Sequence, residues 1–141
     1  MMVVRSLESF EEAQKAHEIE NSSLSTAWSA SQINDIPDYA VYFGAFDGEL
    51  LGVASMYALA GEGQIMNVAV DARYRRLGVA NALMQKLIDA AIERKCEIIS
   101  LEVEDGNFAA IALYEKFGFS LAGRRKGFYN GKDALIMEKK L

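Results

Sequence analysis

The segment Arg75–Ala80 combines two arginines, a glycine and an alanine between an apolar strand and a long amphipathic helix. A tight turn that opens a helix leaves the first backbone N–H groups without intrahelical acceptors, and the helix dipole adds partial positive charge there. Guanidinium groups contribute full charge and forked donors that match phosphate oxygens. We therefore predict a phosphate-binding site in which the donors are Arg75, Arg76, Leu77, Gly78, Val79, Ala80 and Asn81.

Two common phosphate-binding motifs do not fit this segment. A mononucleotide P-loop requires Lys-Ser or Lys-Thr after its last glycine, and neither follows Gly78. A dinucleotide fingerprint requires three spaced glycines, whereas only Gly78 and Ala80 are small here. The alternatives to a phosphate-binding site are that Gly78 is an ordinary glycine at the start of a helix and that both arginines are solvated surface charges.

Glu102 and Tyr114 are two further candidate site residues. Glu102 lies between two apolar residues near the end of a strand, so alternation turns its carboxylate to the other face of the sheet. Ligands bind in α/β proteins at the carboxyl ends of parallel strands. Tyr114 borders the apolar side of a helix predicted for 107–117. A solvated Glu102 and a core Tyr114 are alternatives that the residue pattern leaves open.

Three strand residues and one asparagine are further candidates for ligand contact. Val68, Ala69 and Val70 end the strand before the arginine turn, and their backbone groups could bind the amides of an extended ligand; they also fit an ordinary core strand. Asn107 is expected to cap the helix that it starts, with ligand contact as the alternative.

Cysteine and histidine chemistry is not favoured. Cys96 lies between Lys95 and Glu97, which form no evident base relay for a nucleophilic, acyl-carrying thiol. His17 lies on an early helix, and a surface role is expected for it. One cysteine and one histidine argue against a zinc site, so no metal is expected.

Composition indicates a globular protein with one core. At 141 residues, the chain is expected to form a single domain over 1–141. It contains no apolar run of transmembrane or signal-peptide length, and its single cysteine favours a reducing compartment, so we expect a cytoplasmic protein without membrane contact. The net charge of -5 argues against direct nucleic-acid binding and suits a basic peptide.

Hydrophobic periodicity predicts the element order β-α-α-β-β-β-α-β-α-β-β, an α/β fold with a mixed sheet. Two hairpin turns are expected, at Asp47-Gly48 and at Asn130-Gly131. Strands 65–70 and 98–103, joined by a helix over 76–94, should be parallel neighbours. The remaining elements are strands at 3–5, 41–46, 50–57, 119–121 and 134–139 and helices at 7–20, 29–36 and 107–117.

The segment Arg75–Ala80 has the form Arg/Gln-x-x-Gly-x-Gly/Ala, and with the whole-chain element order it resembles the GNAT family of N-acetyltransferases. The run 101–119, with its Leu-Glu-Val…Asn-x-x-Ala-x-x-Leu-Tyr-x-x-x-Gly-Phe pattern, resembles the RimI-type ribosomal-protein alanine N-acetyltransferases within that family. Residues 67–71, Trp28-Ser29 and the stretch from Tyr129 to Met137 also match.

The resemblance implies acetyl-CoA as cosubstrate, Glu102 as proton acceptor, Tyr114 as proton donor and coenzyme A contact by Asn107. It further implies direct attack in a ternary complex by the N-terminal alanine of a small-subunit ribosomal protein. The loop 21–39 and the hairpin 127–132 should shape the acceptor site. The chain departs from the family pattern at two positions. Ala27 replaces the usual proline before Trp28, which bears on the acceptor, and Ala80 replaces a glycine without affecting cofactor binding.

Two other functions remain open at this point. The acceptor could be another protein N-terminus, a lysine or a small amine. The chain could also be a catalytically silent coenzyme A-binding module, although the presence of both Glu102 and Tyr114 favours catalysis.

Overall fold

One seven-stranded sheet carries helices on both of its faces. The computed structural model describes residues 1–24 and 27–141, so Ser25 and Thr26 of the predicted acceptor loop lie outside the described residues. The elements are β1 Val3–Ser6, α1 Phe10–Ser23, α2 Ala30–Asn34, β2 Ala40–Asp47, β3 Glu49–Leu59, β4 Glu62–Val70, α3 Val79–Glu93, β5 Ile98–Glu104, α4 Phe108–Lys116, β6 Ser120–Tyr129 and β7 Lys132–Lys140.

The strand order in the sheet is β1-β2-β3-β4-β5-β7-β6. Among the strands of the described residues, β4 and β5 are the parallel pair, and the other neighbours are antiparallel. The predicted element order, the mixed sheet and the parallel pair are therefore confirmed. Both predicted hairpin turns are also present, with Gly48 and Gly131 at φ of 77° and 91° in the left-handed region that glycine favours.

The two parallel strands separate soon after they begin. Their pairing covers only Glu62–Gln64 on β4 and Ile98–Ser100 on β5. Met66 is an extra residue on β4, because residues 55 and 56 of β3 lie opposite residues 67 and 65. Such a β-bulge bends its strand and increases the local twist. A gap therefore opens between the second halves of β4 and β5.

The sheet has one apolar core on each face. The larger core lies under α3 and α4, and the buried stripe of α3 supplies Val79, Leu83, Met84, Leu87, Ile88 and Ala91. This spacing of three and four residues is the one expected of an amphipathic helix. The smaller core lies under α1 and includes Ala13, Ala16 and Ile19. Within the described residues, no helix is both long and apolar enough to cross a bilayer.

The turn before α3 is longer than predicted. We expected helix from Arg76, but α3 begins at Val79 after a single 3₁₀ turn at Ala72–Tyr74. Arg76 and Gly78 both have left-handed backbones, with φ of 65° and 82°. A right-handed helix cannot extend through such residues, so Arg76 lies in the turn that precedes α3.

Gly52 on β3 provides the space against which α3 begins. A Cβ at this position would lie 2.9 Å from Val79 Cγ1 and 3.0 Å from the Ala69 carbonyl oxygen. We expect Gly52→Ala to lower the free energy of unfolding by about 1–3 kcal/mol through overpacking. Urea denaturation measures the change. Gly123→Ala is the matched control, because its Cβ would reach only ordinary contact at 3.4 Å from Ile136; equal losses in both variants would contradict the argument.

Candidate active site

The turn before α3 encloses a cavity of about 170 Å³, which we call the turn cavity. The first turn of α3 and the arginine segment form most of its wall, and Leu113 of α4 closes one side. The structure thus brings together most of the predicted phosphate-binding residues. The full lining is Val70, Tyr74, Arg75, Arg76, Gly78, Val79, Ala80, Asn81 and Leu113.

The turn cavity is rich in unused hydrogen-bond donors. The backbone N–H of Ala82 donates to the Gly78 carbonyl at 3.1 Å and makes the first hydrogen bond of α3. Gly78 has no side chain that could cap the N–H groups of residues 79–81, which lie between the two. In the described part of the chain, no acceptor is found for the N–H groups of residues 79–81, and no carboxylate forms an ion pair with Arg75 or Arg76. Helix dipole and guanidinium charge therefore favour an anion here.

Four predicted ligand residues do not line the turn cavity. The side chain of Val68 packs against the larger core and that of Ala69 against the smaller one, while Leu77 is exposed. Asn107 caps α4, since its Oδ1 accepts from the Ala110 N–H at 3.3 Å, which confirms the predicted cap. The predicted role of Val68–Val70 uses backbone groups, and these residues lie on β4 beyond its last pair with β5.

A second cavity, the Glu102 cleft, occupies the gap between β4 and β5 and measures about 250 Å³. The Glu102 side chain is a quarter exposed, and its Oε1 accepts from Arg125 Nη1 at 2.7 Å. The Arg125 guanidinium in turn lies 4.2 Å from the Phe128 ring centroid. Arg125 of β6 thus binds one of the two carboxylate oxygens of Glu102. The lining is Gln64, Ile65, Met66, Glu102, Arg125, Phe128 and Tyr129.

Tyr114 lies on the opposite face of the sheet from Glu102. Its ring packs against the larger core, with its centroid 6.1 Å from that of Phe119. Burial, followed by the nearby Tyr129 phenol, raises the pKa of Tyr114 to about 12. Its hydroxyl has no hydrogen-bond partner among the described residues. Tyr114 is therefore a half-buried residue packed against the core, as periodicity suggested, and also a protonated phenol with a free donor at neutral pH.

The gap between β4 and β5 is the route by which Glu102 and Tyr114 could act on one ligand. Leu101 and Val103 are buried in the larger core, so Glu102 faces the α1 side, as alternation predicted. The two candidate residues do not line a common cavity. Burial and then the Glu102 charge raise the pKa of Tyr129. The Tyr129 phenol contributes, after burial, to the raised pKa of Tyr114, so Tyr129 is coupled electrostatically to both candidate residues.

Arg125 is a contact that the sequence did not predict. The Asn130-Gly131 turn indicates that β6 and β7 form a hairpin, but it does not say which of them pairs with β5. In the structure, β7 lies between β5 and β6, and this order brings Arg125 to Glu102 from the outer strand.

A fully buried carboxylate, Glu20 of α1, was also missed. Its Oε1 accepts from the Trp28 N–H at 3.0 Å and from Asn67 Nδ2 at 3.1 Å, and its Oε2 accepts from the Tyr42 hydroxyl. Burial raises the pKa of Glu20 despite these donors. The buried stripe Ala13, Ala16, Ile19 was the available signal, because Glu20 continues it.

His17 is a correction to the expected surface role. The ring is half-buried, and its Nδ1 lies 2.7 Å from the Trp28 carbonyl oxygen. Together with Glu20, it fixes both backbone polar groups of Trp28. The segment before α2 is therefore anchored to α1 and, through Asn67, to β4.

Comparison with known proteins agrees with this architecture. The Acetyltransferase (GNAT) family pattern matches residues 6–119. A Bacillus subtilis (strain 168) relative, named for alanine N-acetylation of ribosomal protein bS18, is 33% identical over 135 residues, covering 90% of this chain and 88% of its own. The [Ribosomal protein bS18]-alanine N-acetyltransferase of Escherichia coli (strain K12) is 38% identical over 95 residues, 64% of each chain, which is just under two thirds.

The fold matches at full length. The crystal structure of the ribosomal-protein-S18-alanine N-acetyltransferase from Escherichia coli superposes with a TM-score of 0.88 and 32% identity, covering 99% of this chain and 94% of that one. The fold and the family match together indicate an acyl-CoA-dependent transferase. The chain belongs to the GNAT family of N-acetyltransferases, which use acetyl-CoA as the acetyl donor.

We expect Glu20→Ala to lower the free energy of unfolding by about 2–4 kcal/mol, because it leaves two buried donors, on Tyr42 and Asn67, and the part-buried Trp28 N–H without their acceptor. Urea denaturation followed by circular dichroism measures the loss. Glu18→Ala is the control, since Glu18 is exposed on the same helix and should change stability by less than about 0.5 kcal/mol. Equal stability of the two variants would show that the buried network contributes nothing.

Proposed function

We propose that this protein transfers acetyl from acetyl-CoA to the α-amino group of the N-terminal alanine of ribosomal protein bS18. The observation that carries the proposal is the position of two cavities. The turn cavity, rich in free donors, lies beside the gap between β4 and β5, and the Glu102 cleft lies within that gap. The names of the Bacillus subtilis and Escherichia coli relatives supply the acceptor.

The cofactor is assigned to the turn cavity and the strand edge next to it. The backbone N–H groups from Arg76 to Asn81, including those of Gly78 and Ala80, would bind the pyrophosphate with the Arg75 and Arg76 side chains. The pantetheine arm would follow the unpaired edge of β4 at Val68–Val70 into the gap, because an extended amide chain can bond to a free strand edge. Leu77 and Asn107 would contact the coenzyme from the exposed side.

The acceptor is assigned to the Glu102 cleft. An α-amino group has a pKa of about 7.7–8.0, so a useful fraction is neutral near pH 7. A lysine amine near 10.4 would need about 3.5 kcal/mol more than an α-amino group to reach the neutral form. One carboxylate is therefore a sufficient base for an N-terminal acceptor, and the free oxygen of Glu102 would take the proton directly or through water.

Tyr114 is assigned to the leaving group. The neutral amine attacks the thioester carbonyl, the C–N bond forms, and the C–S bond then breaks to release coenzyme A. A pKa of about 12 keeps the phenol protonated throughout the neutral range, so it can donate to the departing sulfur. Both reactants would be bound at once, which makes a covalent acyl-enzyme on the buried Cys96 thiol unnecessary.

The proposal treats residues 1–141 as a single catalytic domain without a metal cofactor. Both assigned cavities belong to one sheet and share β4, which supports a single functional unit. The acceptor implies a cytoplasmic protein, since ribosomal proteins are synthesised there. Membrane and direct nucleic-acid contact play no part in the proposed reaction.

The acceptor assignment is tested with peptides. With acetyl-CoA, we expect the protein to acetylate a peptide bearing the bS18 N-terminus at its α-amino group, and to acetylate lysine peptides and polyamines at least tenfold more slowly. Mass spectrometry locates the product. Faster transfer to lysine or a polyamine would contradict the bS18 assignment and identify that amine as the acceptor. Heat stabilisation by acetyl-CoA without any acetylated product would indicate a catalytically silent binding module.

The catalytic assignments are tested with two conservative variants. Glu102→Gln and Tyr114→Phe should each lower kcat by about 10²–10⁴-fold, because each removes one proton-transfer group. Acetyl-CoA affinity, measured by calorimetry, should change by less than about twofold. Glu104→Gln is the control for charge on the same strand, since Glu104 pairs with Lys132 at 3.6 Å and is not part of the lining of the Glu102 cleft. Full turnover in either catalytic variant would remove its assignment.

A further inference from the structure

A third cavity adjoins the Glu102 cleft and has no role in the chemistry described above. It measures about 320 Å³, and we call it the tyrosine cavity. Gln64 of β4 lines both this cavity and the Glu102 cleft, so the two form one continuous groove on the α1 face of the sheet. The lining is Tyr39, Tyr57, Leu59, Ala60, Glu62, Gln64 and Ser100.

The aromatic wall of the tyrosine cavity is preformed. Tyr57 meets Tyr39 edge to face at a centroid distance of 5.3 Å, and it stacks on Trp28 at 5.9 Å. Trp28 is itself anchored through Glu20 and His17. Because the rings fix one another, little side-chain entropy is lost when a ligand binds against them. Tyr39 is still 40% exposed, so aromatic surface remains open to a ligand.

The charge of the cavity selects among ligands. Glu62 is exposed, and of the described residues that line the cavity it is the charged one. It has no ion-pair partner within the described part of the chain. Aromatic faces beside a free carboxylate attract a guanidinium or an ammonium group through cation–π and ionic contacts together. An apolar side chain would leave the Glu62 charge unused.

We infer that the tyrosine cavity is a specificity subsite for a cationic side chain near the N-terminus of the acceptor polypeptide. The inference rests on the proposed function, which places the reacting α-amino group at Glu102. From strand spacing and rise per residue, Tyr57 lies roughly 10–12 Å from Glu102 across the sheet surface. A long cationic side chain at position two or three of the acceptor spans that distance.

The test compares acceptor peptides that carry arginine or citrulline at position two, and a second pair at position three. Citrulline keeps the shape of arginine and removes its charge. For the wild-type protein, kcat/KM should favour arginine by about three- to tenfold at one of these positions, mainly through KM. Tyr39→Leu, Tyr57→Leu and Glu62→Gln should each bring this ratio close to one, whereas Tyr39→Phe and Tyr57→Phe, which keep the rings, should preserve it.

The ratio of kcat/KM for the arginine peptide to kcat/KM for the citrulline peptide distinguishes loss of the subsite from general damage to the fold. General damage lowers activity on both peptides equally and therefore leaves the ratio unchanged. Equal use of arginine and citrulline peptides by the wild-type protein would overturn the subsite, as would a preference that both leucine variants and Glu62→Gln retain. Failure to acetylate any α-amino group would instead overturn the proposed function, and the subsite with it.

Discussion

The separation of β4 from β5 is the constraint on which the rest of the molecule depends. Parallel strands in a closed sheet would use their backbone groups on each other and leave no room for a ligand. The bulge at Met66 ends the pairing after Gln64, and this opens the Glu102 cleft. The backbone polar groups released along β4 must still be satisfied, which is why a ligand with amide groups of its own suits this edge.

The buried Glu20 network stabilises the side of the sheet next to this gap. A carboxylate out of contact with water is costly unless its oxygens are fully used, and three donors meet those of Glu20. One donor belongs to Asn67, immediately after the bulge, and another to the backbone of Trp28. The network therefore couples the irregular part of β4 to the segment before α2, and both border the proposed acceptor groove.

Local patterns predicted much of the fold. The glycine-containing turns predicted both hairpins, and the apolar stripe predicted α3, because these features depend on neighbouring residues alone. The helix start was placed too early, since the left-handed backbone of Arg76 is not apparent from its residue type. The Arg125–Glu102 pair and the Glu20 network depend on which distant elements become neighbours. A local pattern does not contain that information, and His17 was misplaced for the same reason.

The distribution of charge directs the two substrates of the proposed reaction to different faces of the sheet. The chain carries a net charge of -5, yet Arg75, Arg76 and free helix N–H groups face the turn cavity. Carboxylates at Glu102 and Glu62 line the groove on the other face. An anionic acetyl donor and a cationic polypeptide acceptor would thus be drawn to opposite faces of the same gap. Because Glu102 and Tyr114 also lie on opposite faces, the gap is where the proposed base, the proposed acid and both reacting groups would meet.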